Sequence, residues 1–506
     1  MPHLFLYGPP GTGKTTIGQR LADNLRLPFI DLDRLIESRA GMSIPQIMER
    51  EGETAFRDME TAALREIALA PNPSPLGRGE TVIALGGGAL LREENRAIAE
   101  ASGVIILLMA EMETLHARLN ADPHQRPLLA GDLRQKLTSL LAARKEHYAS
   151  FPVRLHVDGK SAEQLARQIQ VVAGRHHLSA MGAYDVIVGQ ISNLSCRPGS
   201  LLVTDENVAK HHLDKIQGVK SIVLPAGEEH KNLETVSRLW QAFLENGLDR
   251  KSTVIALGGG VISDLTGFAA STYMRGVDWI ALPTTLLAMV DASLGGKTGI
   301  DLPEGKNLIG SFHPPKLVLA DPSLLLTLSD RELRSGMAEV VKHGVIADPE
   351  LFEMCSNGME WVKANLETIV KRAMAVKIQI IEADPYEKGV RAMLNLGHTV
   401  GHAVELVSGF KLSHGEAIAI GMTAEARYAE RSGIAKAGVA DTLGRVLSSL
   451  GLPIEIPKEL PRDAILRAMR VDKKKNAHSI RFALPAEVGR VELVEATDLE
   501  EVIGKW

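Results

Sequence analysis

A strand-like apolar segment runs directly into a glycine-rich loop at the start of the chain. HLFLY occupies positions 3–7, and GPPGTGKT occupies positions 8–15. After a buried strand, such a loop and the helix behind it direct backbone N–H groups at phosphate oxygens. In this motif Lys14 reaches the β- and γ-phosphates of ATP, and Thr15 holds Mg²⁺. The segment therefore predicts a P-loop fold, with a parallel sheet flanked by helices.

The length and composition limit what else the chain can be. With 506 residues, 45% hydrophobic and 24% charged, it needs more than one core and has the profile of a globular protein. A net charge of -5 without long single-sign runs argues against nucleic acid or membrane partners. The longest apolar run, 104–110, is too short to span a bilayer. With only two cysteines and no room for a targeting peptide, we expect a cytoplasmic protein that binds small molecules.

Apolar runs alternate with longer amphipathic stretches, as in βαβ units, and they form two series. After about Ser329 helical periodicity dominates, over 331–346, 359–382 and 416–432. The first series of expected strands comprises 4–7, 82–85 and 104–109, and the second comprises 186–188, 201–204, 221–224, 254–257 and 279–282.

These patterns predict an α/β protein of several domains. A P-loop domain occupies 1–171, a linker 172–182, a Rossmann-like α/β domain 183–328, and a mostly α-helical domain 329–506. The heptapeptide VIALGGG occurs at 82–88 and again at 254–260, but its flanks differ completely. We interpret it as two independent strand ends rather than an internal repeat.

The first domain adds charged groups to the phosphate loop. FIDLD provides two aspartates, FRDME one arginine, and RPLL and AARKEHY one arginine each. Together with GGG at 86–88, this constellation resembles shikimate kinase over residues 1 to about 170. The resemblance implies that Asp33 binds shikimate and assists its deprotonation, that Arg57 and Arg144 grip its carboxylate beside Gly86, Gly87 and Gly88, and that Arg126 closes as a catalytic lid. It further implies ATP and Mg²⁺ contacts from Gly8, Gly11, Thr12, Gly13, Lys14, Thr15, Thr16, Asp31, Arg118 and Arg126.

The second α/β domain places polar groups at predicted strand ends, where open sheets bind ligands. GGGVISDLTGF follows a buried strand but lacks the GxGxxG spacing of the commonest dinucleotide motif. The accompanying groups are Asp205, Glu228, Lys231, Thr284 and Thr285.

The last domain offers nitrogen and oxygen ligands for a divalent metal without cysteine. The candidates are Glu339, His398, His402 and His414. His398 and His402 lie one helical turn apart, so one can bind a metal while the other serves as a neighbouring acid or base. Many cations surround these groups in the sequence, and this favours a phosphate-bearing substrate. They are Arg275, Lys297, Lys306, Lys342, Lys377, Arg391 and Lys473 to Lys475.

From Asp185 to the C-terminus the motifs resemble 3-dehydroquinate synthase, above all VDASLGGKTGIDLPEGKNLIGSF. The resemblance implies Zn²⁺ or Co²⁺ on Glu339, His398 and His414, with Lys297, Lys342 and His402 catalytic. It implies NAD contacts from Asp205, Glu228, Lys231, Gly259, Gly260, Val261, Asp264, Thr284, Thr285, Asp291, Lys297, Lys306 and Asn307. The implied substrate contacts are Arg275, acting across a homodimer interface, and Asp291, Lys297, Asn307, Lys342, Lys377, Arg391, Asn395, His402 and Lys474.

Together the two resemblances imply a bifunctional enzyme. One half would phosphorylate shikimate at O3 with ATP, and the other would convert 3-deoxy-D-arabino-heptulosonate 7-phosphate to 3-dehydroquinate and phosphate, with NAD⁺ regenerated in each turnover. Two alternatives remain open. One is a P-loop regulatory module fused to a glycerol-dehydrogenase-like oxidoreductase, and the other is a cyclase acting on a different sugar phosphate.

Overall fold

The computed structural model describes residues 3–69, 80–121, 132–471 and 480–504. Arg126, Lys473 to Lys475 and the loop 71–79 fall outside these residues. The chain forms two compact units, Met1–His177 and Leu178–Trp506. No helix in the described ranges is both long and apolar enough to cross a membrane.

Unit 1 is built around a five-stranded sheet in the order β2-β3-β1-β4-β5, with every pair parallel. β1 is buried throughout, and its side chains alternate between two cores. Phe5 and Tyr7 pack into one, while Leu4 and Leu6 pack into the other. The strands are β1 His3–Tyr7, β2 Phe29–Asp31, β3 Val82–Ala84, β4 Gly103–Met109 and β5 Arg154–His156.

Helices cover both faces of this sheet, as the two cores require. They are α1 Lys14–Leu25, α2 Leu32–Ala40, α3 Ile44–Arg50, α4 Gly52–Leu69, α5 Glu93–Ser102, α6 Met112–Ala121, α7 Leu133–Ala143, α8 Lys145–Ala149 and α9 Ala162–Ala173. A capping box of Ser161 and Gln164 starts α9, and Gly174 ends it with a left-handed φ of 64°.

The predicted linker 172–182 is not wholly irregular. Its first two residues finish α9, and β6 occupies Arg175–Leu178. The boundary between the units, at His177 and Leu178, nevertheless falls inside the predicted range.

Unit 2 contains six parallel strands in the order β7-β14-β11-β10-β8-β9. They are β7 Tyr184–Val188, β8 Leu201–Asp205, β9 Lys220–Leu224, β10 Thr253–Gly258, β11 Asp278–Pro283 and β14 Leu317–Ala320. An antiparallel hairpin, β12 Lys297–Leu302 and β13 Gly305–Phe312, stands apart from this sheet. The helices among these strands are α10 Glu206–His212, α11 Leu233–Glu245 and α12 Gly260–Thr272.

The remainder of unit 2 is mostly helical, as predicted. Its helices are α13 Asp330–Ala347, α14 Pro349–Cys355, α15 Gly358–Ala364, α16 Leu366–Ala383, α17 His398–Val407, α18 His414–Arg431, α19 Val439–Ser449, α20 Arg462–Val471 and α21 Leu499–Ile503. An antiparallel hairpin, β15 Ile480–Glu487 and β16 Arg490–Ala496, also belongs to this part. The division at 328/329 follows the change from strands to helices, but both parts lie in one compact unit.

Candidate active sites

The phosphate loop of unit 1 connects the carboxyl end of β1 to the first residue of α1. Gly8, Gly11 and Gly13 have φ values of 139°, 85° and 87°, which residues with a Cβ atom rarely adopt. Lys14 Nζ donates to the carbonyls of Gly8 at 2.8 Å and Pro9 at 3.0 Å, so the ammonium curls over the loop. The backbone is therefore shaped to receive phosphate oxygens.

Two oxygen groups suited to Mg²⁺ meet at the edge of this loop. Thr15 Oγ1 donates to Asp31 Oδ2 at 2.7 Å, and Asp31 stands at the end of β2. Hydroxyl, carboxylate and phosphate oxygens are the ligands that Mg²⁺ prefers, so these residues fit the ion.

A cavity of about 690 Å³ opens beside the loop and collects most of the residues predicted for unit 1. Of the residues predicted for this unit that the structure describes, Thr12 and Gly8 do not line the cavity. Thr12 is buried and donates to Pro9 O at 2.9 Å, while Gly8 offers its carbonyl to Lys14. The predicted residues that do line the cavity are Gly11, Gly13, Lys14, Thr15, Thr16, Asp31, Asp33, Arg57, Gly86 to Gly88, Arg118 and Arg144.

A buried glutamate, which sequence reasoning missed, holds one of the two predicted carboxylate-binding arginines. Arg57 Nη1 donates to Glu60 Oε2 at 2.5 Å and Nη2 donates to Glu53 at 3.0 Å. Burial raises the pKa of Glu60 to about 6, against the opposing effect of Arg57. In the FRDME motif Arg57 and Glu60 are three positions apart on α4. This i,i+3 spacing could have predicted their ion pair from the sequence.

The other arginine is oriented by a backbone carbonyl. Arg144 Nη1 donates to Gly87 O at 2.7 Å, and the hydroxyls of Tyr148 and Tyr7 approach the same oxygen at 3.3 Å and 3.4 Å. The Tyr7 hydroxyl also lies 3.0 Å from His147 Nε2. These contacts fix the glycine segment and the guanidinium together beside the cavity.

In unit 2, three predicted metal ligands converge from three helices. Glu339 on α13 is fully buried, and its Oε1 lies 3.6 Å from His398 Nε2 and 3.5 Å from His414 Nε2. Ligand atoms about 2.1 Å from a tetrahedral ion are about 3.4 Å apart, so this spacing matches a divalent metal between them. The residues therefore fit Zn²⁺ or Co²⁺.

The histidines present their Nε2 atoms to that point. His398 Nδ1 lies 3.1 Å from the carbonyl of Leu396 and donates to it, which leaves a lone pair on Nε2. Burial, aided by Lys342, lowers the pKa of His398 well below its ordinary value. Burial opposes the charge of His414 too, but hydrogen bonds to Glu339 and Glu405 raise its pKa to about 9. His402 lies alongside, with its ring centroid 5.1 Å from that of His398.

Glycines and one buried carboxylate set the position of the ligand helices. Gly397 precedes α17 with a φ of 80°, and its N–H donates to Glu425 Oε2 at 2.6 Å, so a side chain of α18 caps α17. A Cβ on Gly421 would lie 2.0 Å from the Gly397 carbonyl oxygen. The two helices therefore touch backbone to backbone.

The predicted cations do not stand free, because most already pair with carboxylates. Lys342 pairs with Glu339 inside the core, and Lys377 Nζ lies 2.6 Å from Asp291 Oδ1. The acids Glu387 and Glu405, which the sequence reasoning did not use, pair with three more of the predicted cations within the described ranges. Glu387 pairs with Lys297 and Arg391, and Glu405 pairs with Lys306.

The remaining predicted substrate contacts are more dispersed. Asn395 and Arg275 are exposed, and Arg275 has a left-handed φ of 69°. His343, not predicted, is fully buried with Asp291 and Glu339 close to it, and burial lowers its pKa to about 3.

Several of the predicted NAD residues lie at the carboxyl ends of β8, β10 and β11. Gly259 caps α12 directly after β10, and a Cβ there would lie 3.2 Å from Thr285 Cγ2. This bare helix N-terminus fits the pyrophosphate of a dinucleotide. The Oδ1 atom of Asp205 accepts the N–H groups of Asn207 and Val208, so its carboxylate also caps α10.

A buried lysine connects three more of these residues. Lys231 Nζ lies 2.6 Å from Asp264 Oδ2 and donates to Asn307 Oδ1 at 2.6 Å. Burial raises the pKa of Asp264 to about 6, although Lys231 works in the opposite direction. Three further predicted residues stand at the same strand ends: Gly260 and Val261 begin α12, and Thr284 follows β11. Glu228 lies in a short turn after β9, Asp291 lies in the turn Ala288–Ala292, and Lys297 and Lys306 lie on the β12–β13 hairpin.

Comparisons with known proteins separate along the same two units. The shikimate kinase family model matches residues 10–173. The models of the N-terminal and C-terminal parts of 3-dehydroquinate synthase match residues 221–335 and 336–475.

A curated relative carries the second family's name, and solved structures of two other cyclases resemble the same unit. The 3-dehydroquinate synthase of Nostoc punctiforme is 44% identical over 326 residues, which cover 62% of this chain and 90% of that protein. A 2-epi-5-epi-valiolone synthase from Streptomyces hygroscopicus, solved with NAD⁺ and Zn²⁺, is 29% identical with a TM-score of 0.58 and covers 63% of this chain and 94% of that one. A 2-deoxy-scyllo-inosose synthase solved with carbaglucose-6-phosphate, NAD⁺ and Co²⁺ is 26% identical with the same TM-score, covering 63% and 96%.

Proposed function

Since the chain belongs to the 3-dehydroquinate synthase family and its residues 10–173 to the shikimate kinase family, we infer that it is a bifunctional enzyme of the shikimate pathway. One half phosphorylates shikimate with ATP and Mg²⁺, and the other makes 3-dehydroquinate and phosphate from 3-deoxy-D-arabino-heptulosonate 7-phosphate with NAD⁺ and Zn²⁺ or Co²⁺. The observation that carries this inference has two parts. Unit 1 holds a phosphate loop and two arginines that line one cavity. Unit 2 holds both a Glu-His-His cluster and a helix N-terminus of the kind that binds dinucleotides.

In the kinase half, we propose that Arg57 and Arg144 bind the shikimate carboxylate and so fix which ring hydroxyl faces ATP. Asp33, in the same cavity, accepts the proton of that hydroxyl. Lys14 contacts the transferred phosphoryl group and offsets its charge. The Glu60 contact keeps the Arg57 guanidinium in place before substrate arrives.

In the synthase half, Glu339, His398 and His414 hold the divalent ion, and α12 receives the dinucleotide. When bound, NAD supplies reversible oxidation of a substrate alcohol and the ion polarises the neighbouring oxygens. We propose that His402 exchanges protons with the substrate beside the metal ligands, and that Asp291, Lys342 and Lys377 position its polar groups. Lys297 and Arg391 bind substrate anions, which take the place of Glu387.

Paired assays test both activities on one preparation. We expect phosphate release from the heptulosonate phosphate with NAD⁺ and Zn²⁺, and shikimate-dependent ADP formation with Mg²⁺. His398→Ala should abolish the first and spare the second, while Lys14→Ala should do the opposite. Net accumulation of NADH would instead favour the glycerol-dehydrogenase-like alternative, and a preference for another sugar phosphate would favour the other cyclases.

We further propose that the chain forms a homodimer through unit 2. The β12–β13 hairpin exposes Leu308 and Phe312, which are 58% and 50% accessible, and Met274 beside Arg275 is 41% accessible. Apolar surface of this kind favours burial by a second copy. Mixing inactive Arg275→Ala and Lys377→Ala proteins should restore part of the activity if Arg275 acts in the partner's site, whereas a monomer in sedimentation would contradict the proposal.

We also propose a cytoplasmic location. It is supported by Cys196 and Cys355, which are both free thiols, as expected in a reducing compartment.

A further inference from the structure

Helix α17 carries a third polar group on the face that bears its two histidines. His398, His402 and Glu405 occupy positions i, i+4 and i+7 of the motif HTVGHAVE, so all three project from one side of the helix. Glu405 is 9% accessible and belongs neither to the metal ligand set nor to the substrate contacts described above.

The carboxylate of Glu405 contacts one metal ligand and one hairpin lysine at the same time. Its Oε2 lies 3.4 Å from His414 Nδ1, and its Oε1 lies 3.4 Å from Lys306 Nζ. Lys306 in turn lies 4.7 Å from the ring centroid of Phe410 and 3.6 Å from Glu228 Oε1. Glu405 thus lies between the metal cluster and the β12–β13 hairpin.

The position of the proton on His414 follows from these contacts. A carboxylate oxygen can only accept, so Nδ1 must carry the hydrogen that faces Glu405. A metal that binds Nε2 takes the place of any proton there, while Nδ1 keeps its hydrogen, and Nε2 lies 3.5 Å from Glu339 Oε1, on the side where the metal fits. A carboxylate behind a ligating imidazole also fixes the ring plane and makes the ring a stronger ligand.

We propose that Glu405 is a positioning residue that selects the metal-binding tautomer of His414 and fixes the orientation of its ring. The inference rests on the proposed synthase function, because it requires a metal on Glu339, His398 and His414. Lys306 holds the carboxylate from the opposite side, so the hairpin helps to set the angle at which His414 meets the ion.

Metal affinity separates this role from simple packing. The full chain and Glu405→Gln, which keeps the side chain's volume, are titrated with Co²⁺ and Zn²⁺ against a chromophoric chelator. Outer partners of ligating histidines commonly contribute 10- to 100-fold in metal affinity, and we expect a rise in Kd of that order for Glu405→Gln. The visible bands of the Co²⁺ form should also shift, because the ring orientation at the metal changes.

Glu430→Gln is the matched control. Glu430 is also a helical carboxylate, but it accepts the N–H of Ala440 at 2.9 Å, and within the described ranges no histidine forms a hydrogen bond with it. The Kd of Glu430→Gln for Co²⁺ and Zn²⁺ should equal that of the unmodified chain. Unchanged Kd and Co²⁺ bands in Glu405→Gln would overturn the inference.

A measurement on the unmodified protein covers the case in which Glu405→Gln fails to fold. In the Zn²⁺ form, ¹⁵N–¹H correlation spectra should show the proton of His414 on Nδ1, whereas a proton on Nε2 would refute the proposal. If the unmodified chain binds neither ion, the metal site of the proposed function fails and Glu405 loses its role with it. If the unmodified chain binds metal tightly and Glu405→Gln binds it equally well, the proposed synthase function stands and only the role of Glu405 is refuted.

Discussion

Lys377 Nζ donates both to the carboxylate of Asp291 at 2.6 Å and to the Asp291 carbonyl oxygen at 2.7 Å. The contact ties α16 to the π-helical turn Ala288–Ala292, which carries Asp291. Burial lowers the pKa of Lys377, and Asp291 counters that effect. The opposite charges of Lys377 and Asp291 are thus held together close to Glu339, one of the proposed metal ligands.

Asp291→Ala should destabilise unit 2, because it leaves the Lys377 ammonium buried without its counter-charge. Removing one partner of a buried pair costs about 3–5 kcal/mol. Trp240, Trp279 and Trp361 all lie in unit 2, so denaturant unfolding followed by tryptophan fluorescence reports on this unit. Asp291→Ala combined with Lys377→Met should recover part of the loss. Equal stabilities of the single and double variants would contradict this account.

Arg144→Lys should weaken shikimate binding and leave ATP binding unchanged. Lysine cannot donate to Gly87 O and to a substrate carboxylate from one rigid plane, as Arg144 can. Losing one charge-assisted hydrogen bond costs about 2 kcal/mol, roughly a 30-fold rise in KM for shikimate. Arg96→Lys provides the comparison, since Arg96 lies over the Phe151 ring and not in the cavity lining. Equal effects of the two substitutions on KM would argue against the assignment.

Glu60 should make the stability of unit 1 depend on pH. Its pKa is raised from 4.5 to about 6 in the folded chain, so the folded state holds the proton more tightly than the unfolded state. This stabilising contribution is complete below pH 4.5 and is lost as the pH rises through 6. A shift of this size corresponds to about 2 kcal/mol.

Glu60→Gln lacks that titration, so it should match the unmodified chain near pH 4 and exceed its stability by about 2 kcal/mol at pH 7.5. Unit 1 contains no tryptophan, and the readout is therefore amide hydrogen exchange in peptides from β1 and β4. A stability difference that stays constant between these pH values would show that Glu60 does not titrate as described.

The two cysteines should differ sharply in reactivity. Cys355 is fully buried, and burial raises its pKa to about 12, so only about one molecule in 10⁴ carries the thiolate at pH 8. Cys196 is partly exposed. An aromatic disulfide reagent should label one thiol in the native chain and the second only after unfolding. Cys196→Ser should remove the native reaction, and rapid labelling of that variant would contradict the buried position of Cys355.

Local signals in the sequence were sufficient for most of the fold. The expected strand at 254–257 lies inside β10, and the expected helix at 331–346 lies inside α13. The expected helix at 359–382 is instead two helices, because Asn365 interrupts it and its side chain donates to Trp361 O. Periodicity continues across such a break and does not reveal it.

The candidate sites were predictable where a motif carries them. Glu339, His398 and His414 lie close together in the structure, although the first two are 59 positions apart in the sequence. The acids that accompany the cations were missed. Glu405 and Glu387 reach Lys306 and Lys297 only through tertiary folding, and no spacing within one segment encodes such pairs. A positive residue in a sequence shows a charge, but only the structure shows which carboxylate already neutralises it.

The backbone contact between α17 and α18 limits how this enzyme can diversify. Because a methyl group at Gly421 would lie 2.0 Å from the Gly397 carbonyl oxygen, a substitution there must shift the helices that carry the metal ligands. Viable sequence change must accumulate on the outer faces of the two helices and in the hairpin that presents Lys306. A laboratory selection for a new sugar phosphate would therefore find its productive variants around the rim of the site rather than between the helices that hold the metal.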